Sequence, residues 1–159
     1  MTQDTHIALM AEGDGLARHL TQTLHVTTHD PARLTLLGRS LALNLVQAYQ
    51  GAVEHVTRRA GHPIHAGLST DPRGRAQLVF TGPPGFTQPP QPAEDLLRDL
   101  LFIRGRLHPA VQGHLQGALS GSEHHATRAL VACLRSPPVM QALERQIRQL
   151  LPGPHGHQP

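Results

Sequence analysis

From Asp30 to Ala60 apolar residues recur at helical steps. Leu34, Leu37, Leu41, Leu45, Ala48, Ala52 and Val56 line one side, and Leu36, Leu43, Val46, Tyr49 and Val53 line another. The polar stripe left between them is narrow: Arg33, Ser40, Asn44, Gln47, Glu54 and Arg58. This period predicts one long helix, about 40 Å at ~1.5 Å per residue. Asp30 suits the N-cap and Pro31 the first helical position. Arg58 and Arg59 fall in the last turn, Gly61 follows it, and Pro63 prevents continuation. A helix with two apolar sides has to be covered on both, so it is either central or part of a subunit interface. On that ground a homodimer is expected. Gly38 and Gly51 either kink the helix or let another helix approach closely, each at about 1 kcal/mol of propensity against Ala.

The segment before it reads in two ways. One is a single helix from about Asp4 to Leu24 with Ile7, Met10, Ala17, Leu20 and Leu24 inward. The other begins a helix after an Asp14 cap and leaves residues 6–11 extended, as Gly13 and Gly15 would favour. Helical spacing supports the first, which is preferred here.

After Pro63 the period falls to two. Ile64, Ala66 and Leu68 alternate with more polar neighbours, as do Ala76, Leu78 and Phe80. Between the two runs lies Asp71-Pro72-Arg73-Gly74. Asp71 and Pro72 suit the first two places of a type I turn, and Gly74 can take the left-handed conformation that closes a hairpin with a bulge. A β-hairpin with arginines at its tip is therefore expected within an otherwise helical chain.

Thr81–Pro92 carries Pro83, Pro84, Pro89, Pro90 and Pro92, the composition of a semi-rigid linker. Beyond it, Leu96, Leu97, Leu100, Leu101 and Ile103 predict an inward helical stripe. A shorter helix follows from Pro109 with Val111, Leu115 and Leu119. Ser120 and Glu123 have capping-box spacing ahead of a helix bearing Leu130, Val131 and Leu134. The last helix starts after Ser136 and Pro137, with Val139, Leu143, Ile147, Leu150 and Leu151 on one face. The fold class is mainly α with one inserted β-hairpin. The units are 1–81 (helix, helix, hairpin), 82–92 (Pro-rich linker), 93–151 (helical) and 152–159 (a disordered tail). A chain of 159 residues can pack these into one domain.

Composition narrows the picture further. With no Trp, one Tyr and three Phe, the core must be built from Leu, Ala and Val, which suits helix-on-helix packing. All 14 basic residues are Arg, against 11 acids. Codon bias accounts for the missing Lys; the functional alternative is bidentate phosphate recognition. The 13 His add positive charge as pH falls through ~6.5, so anion binding should strengthen in mild acid. A single cysteine, Cys133, excludes an internal disulfide and fits a bacterial cytoplasm. No run approaches the roughly 18 apolar residues of a membrane span, and the first residues lack the features of a signal peptide.

No catalytic signature is present. His25 and His29 are four apart, but Thr27, Thr28, Asp30 and Pro31 make that segment a turn; His62 and His65 flank a strand start, adjacent His124 and His125 diverge on a helix, and neither HExxH nor CxxC occurs. No metal or cofactor is expected. Cys133 reads as a small buried hydrophobe rather than a nucleophile. The remaining lead is arginine. Arg58, Arg59, Arg73 and Arg75 could share a face if the hairpin folds back, and Arg104 and Arg106 form a second cluster. The order helix, helix, hairpin has the architecture in which a wing reaches DNA phosphates. Against this, the helix before the hairpin is too long and apolar for a recognition helix, and surface arginines also serve solubility. The expectation is a small, non-enzymatic protein that contacts double-stranded DNA through these six arginines. The alternatives are a protein–protein adaptor and a small helical enzyme with a His-lined site.

Overall fold

The computed structural model describes residues 3–24, 31–120 and 122–152. The Asp30 cap, the His25–His29 pair and the predicted tail from residue 153 lie outside the described residues.

The long apolar helix is α2, Pro31–Arg59, and it occupies the centre. Its end is the one the sequence predicts. Gly61 has φ +81°, its N–H bonds to the Arg58 carbonyl, and the His62 N–H bonds to the Thr57 carbonyl. Leu41, Leu45, Val46 and Val53 are fully buried. Cover comes from the helix before it, Gln3–Leu24, from the hairpin and from the helices of the C-terminal half, all in contact with α2 within one chain. Most of the second apolar side of α2 is thus covered within the chain. Leu36 on that side and Val56 on the first remain exposed.

The segment before α2 is one helix, α1, Gln3–Leu24. Its buried stripe is Thr5, Leu9, Glu12, Leu16 and Leu20. Ile7, expected inward, is 57% exposed: the stripe is rotated so that Thr5 and Glu12 point in. Both find polar partners on the hairpin, Thr5 through a 3.2 Å hydroxyl contact with Thr70 and Glu12 through Arg75.

The hairpin comprises β1, His65–Thr70, and β2, Ala76–Thr81, paired antiparallel with His65 opposite Thr81 and Thr70 opposite Ala76. Asp71 organises the turn. Its carbonyl accepts the Gly74 N–H, its Oδ1 accepts the N–H groups of Arg73 and Arg75, and Gly74 has φ +81°. At the base, Thr57 Oγ1 donates to the Val53 carbonyl and accepts the Ile64 N–H, and Gln50 donates to the Ala66 carbonyl.

The Pro-rich stretch is more than a spacer. Phe86 packs on the core, and Gln91–Pro92 forms a third strand, β3, alongside β2. From Pro92 the chain enters α3, Ala93–Leu101. There the sequence expectation fails in one respect. The helix stops at Leu101, and Phe102–Ile103 (β4) folds back on Arg106–Leu107 (β5), with Arg104 at φ 52° and Gly105 at φ 77° in the turn. Ile103 is therefore 53% exposed rather than inward. Three helices complete the chain: α4, Pro109–Ser120; α5, Glu123–Leu134; and α6, Pro137–Arg148. Ser122, not Ser120, caps α5 by accepting the His125 N–H, and Val131 on this helix is exposed rather than inward. One continuous core runs from Leu9 to Leu150 and joins both halves. Among the described residues no helix is long and apolar enough to cross a membrane.

Candidate functional site

The site is built around Arg75, the first residue after the hairpin turn. Because the tip of the hairpin reaches α1, Arg75 Nε donates to Glu12 Oε1 at 2.7 Å. Its Nη2 donates to Glu94 Oε2 on the first turn of α3, also at 2.7 Å. Arg98, one turn further along α3, donates to the other oxygen of Glu94 at 2.7 Å. The four side chains form a chain of alternating charge, Glu12–Arg75–Glu94–Arg98. Glu12 is only 6% exposed, whereas Arg75 is 54% exposed, so the bridge spans the boundary between core and solvent. The Glu12 carboxylate, followed by that of Glu94, holds the Arg75 guanidinium more firmly charged than usual. The hydrogen bond from Arg75 in turn holds the Glu94 carboxyl below its ordinary value.

This chain forms one wall of a cleft of about 790 Å³ between α1, the hairpin tip, α3 and the β4–β5 turn. Leu16 and Leu97 supply an apolar wall, with Phe102, whose ring meets His19 edge to face at 6.1 Å. Arg18 and Gly105 also line it, and Arg104 and Arg106 flank Gly105 in the chain.

The six arginines expected to act together divide. The hairpin does fold back, but antiparallel to α2, so its base lies by the end of that helix and its tip lies a strand's length away, roughly 20 Å for six residues. Arg58 and Arg59 are exposed at the base end, Arg58 in a 3.5 Å pair with Glu54. Arg73 is exposed in the tip turn. Arg75 is exposed, as expected, and its guanidinium is paired with two carboxylates. Arg104 and Arg106, which the sequence leaves as a separate cluster, are exposed in the β4–β5 hairpin at the cleft edge.

Sequence reasoning misses Glu12, Glu94, Arg18, Arg98, His19 and Phe102. Two signals were available. Glu12 is a charge in register with Leu9, Leu16 and Leu20, which requires a buried partner, and Glu94 and Arg98 are four apart on a helix.

Elsewhere Cys133 is fully buried, and burial pushes its thiol up to about 11. Among the described residues no three His, Cys, Asp or Glu side chains gather as a metal site would require. His19 is the only histidine among the described residues that line the cleft. The chain matches no family model, and no curated protein or solved structure matches it.

Proposed function

We propose that this is a small, non-enzymatic DNA-associated protein of a bacterial cytoplasm that grips duplex phosphates with arginines around the cleft. One observation carries the reading. Arg18, Arg75 and Arg98 line one cleft, and the exposed Arg73, Arg104 and Arg106 lie within two residues in the chain of its lining residues Arg75 and Gly105. Backbone contact of this kind is largely independent of base sequence and weakens steeply with salt. Among the described residues the only aromatic ring at the cleft apart from the His19 imidazole is Phe102, half-buried against it, which suits a duplex better than stacked single strands. Arg75 is assigned a different role: it fixes the hairpin tip to α1 and α3. Because α2 is largely covered within the chain, the contact needs no second copy.

The test is a salt titration of duplex affinity for wild type and an Arg73→Ala/Arg104→Ala/Arg106→Ala variant. The variant should bind all duplex sequences more weakly. Its salt slope should fall by roughly one unit for each phosphate that is no longer neutralised. Wild type without duplex affinity at low salt would remove the reading. In that case capture of a protein partner that depends on the same three arginines would favour the adaptor.

A further inference from the structure

The interior of the cleft differs in character from its rim. At about 790 Å³ it falls in the size range of small-molecule sites, ~300–1,000 Å³, and a duplex lying across the rim would leave it unfilled. One wall is apolar and partly flat: Leu16, Leu97 and the Phe102 ring, with His19 meeting that ring at 74°. The polar lining carries both charges, Glu12 and Glu94 beside Arg18, Arg75 and Arg98. Arg75 and Arg98 are held by Glu12 and Glu94, which leaves those two carboxylates compensated. Arg18 lines the same space; its charge acts on the Asp14 carboxylate one turn back, which is hydrogen-bonded to Arg39, but among the described residues it makes no ion pair within 4 Å. Its guanidinium is a planar donor with fork geometry suited to a carboxylate or phosphate.

We infer that the cleft is a binding site for a small aromatic anion, a flat ring carrying one carboxylate or phosphate. The ring lies against Phe102, Leu16 and Leu97, and the anionic end pairs with Arg18. Offset or edge contact with an aromatic wall favours a ring over an aliphatic chain. Arg18 favours the anion over its neutral analogue by the charge-assisted hydrogen bonds that only the anion can accept. A mononucleotide and an aryl carboxylate share this chemistry. The inference rests on the cleft's interior and stands apart from the duplex reading, which rests on Arg73, Arg104 and Arg106.

The experiment is calorimetric titration of the full chain at fixed ionic strength with four probes: adenosine monophosphate, 1-naphthoate, adenosine and inorganic phosphate. At least one of the two ring anions should bind with a Kd of about a millimolar or tighter. It should bind at least about tenfold tighter than both adenosine and phosphate, the difference expected from one good charge-assisted hydrogen bond. Which of the two binds distinguishes a nucleotide source from an aryl acid source. Arg18→Gln, an exposed change, should weaken the bound anion by roughly tenfold. Phe102→Leu keeps apolar bulk at the site and should weaken ring anions without altering phosphate. The triple rim variant should leave ring-anion affinity within about twofold. No binding by either ring anion up to about 10 mM, or binding indifferent to Arg18→Gln, overturns the inference. So does phosphate or adenosine binding as tightly as the ring anions. Duplex binding without ring-anion binding removes this inference alone, and ring-anion binding without duplex binding removes the duplex reading alone.

Discussion

Gly13 and Gly38 meet backbone to backbone where α1 crosses α2. A Cβ added at Gly38 would stand 2.3 Å from the Gly13 carbonyl oxygen, and one added at Gly13 would stand 2.5 Å from Cα of Arg39. Beside the crossing, Arg39 Nε donates to Asp14 Oδ1 at 2.7 Å. The close approach places α1 where Glu12 can reach the hairpin, so the cleft depends on it.

Gly38→Ala should destabilise the protein, because backbone cannot move aside as a side chain can. The expected cost is on the order of 1–3 kcal/mol, typical of overpacking. Gly51, on the same helix, has nothing within 4 Å of its built Cβ. Gly51→Ala should therefore stabilise by roughly 0.4–1 kcal/mol. Urea denaturation of both variants checks the pair; equal shifts would mean the helices do not touch at Gly38.

Arg73 and Arg75 are two residues apart and should respond differently to truncation. Arg73→Ala, exposed in the turn, should stay within about 0.5 kcal/mol of wild type. Arg75→Ala strands the buried Glu12 carboxylate and should cost roughly 1–3 kcal/mol, the penalty for leaving a buried polar group unsatisfied. Thermal melts of the two single variants separate these outcomes.

Acid should loosen the structure through Asp14 and Glu94. Hydrogen bonds from Arg39 and Arg75, respectively, hold these carboxyls below their ordinary values of 3.8 and 4.5. The unfolded chain therefore takes up these protons first. Their contribution is present above those values and is lost as pH falls through the lower folded ones. The stability gap between wild type and Glu94→Gln should close as pH is lowered below 4.5. A gap that stays constant down to full acid unfolding would exclude the Arg75–Glu94 bridge.

Cys133 should be silent toward thiol reagents in the folded protein at neutral pH, since it is fully buried and its thiol is pushed up to about 11. Labelling should then proceed only as fast as the surrounding helices open. Stoichiometric labelling within seconds under native conditions would contradict this burial.

Local chemistry made the hairpin legible: Asp71, Pro72 and Gly74 specify the turn, and the alternation from Ile64 to Phe80 follows from it. The long helix was legible for the same reason, through its period and its Gly61 and Pro63 stop. The rotation of α1 was not, because the period fixes which residues share a face but not which face turns inward. Glu12 is tolerated inside only because Arg75, 63 positions away, meets it. The β4–β5 turn was hidden similarly. Ile103 continues the leucine stripe, and Arg104 adopts φ 52°, a conformation its residue type does not advertise. The cleft needs both of these features, so its lining could not be assembled from the sequence.

The three-stranded sheet, ordered β1-β2-β3, has two edges, and each carries a feature that opposes strand addition. On the β3 side the chain runs Pro89, Pro90, Gln91, Pro92, and proline brings no N–H with which a new strand could pair. At the start of β1, Thr57 and Gln50 of α2 already bond the main chain of Ile64 and Ala66. The Pro-rich stretch thus works as an end-stop that keeps a small sheet from templating its own growth. A strand offered to this sheet would meet proline beside β3 and occupied main-chain groups at the start of β1.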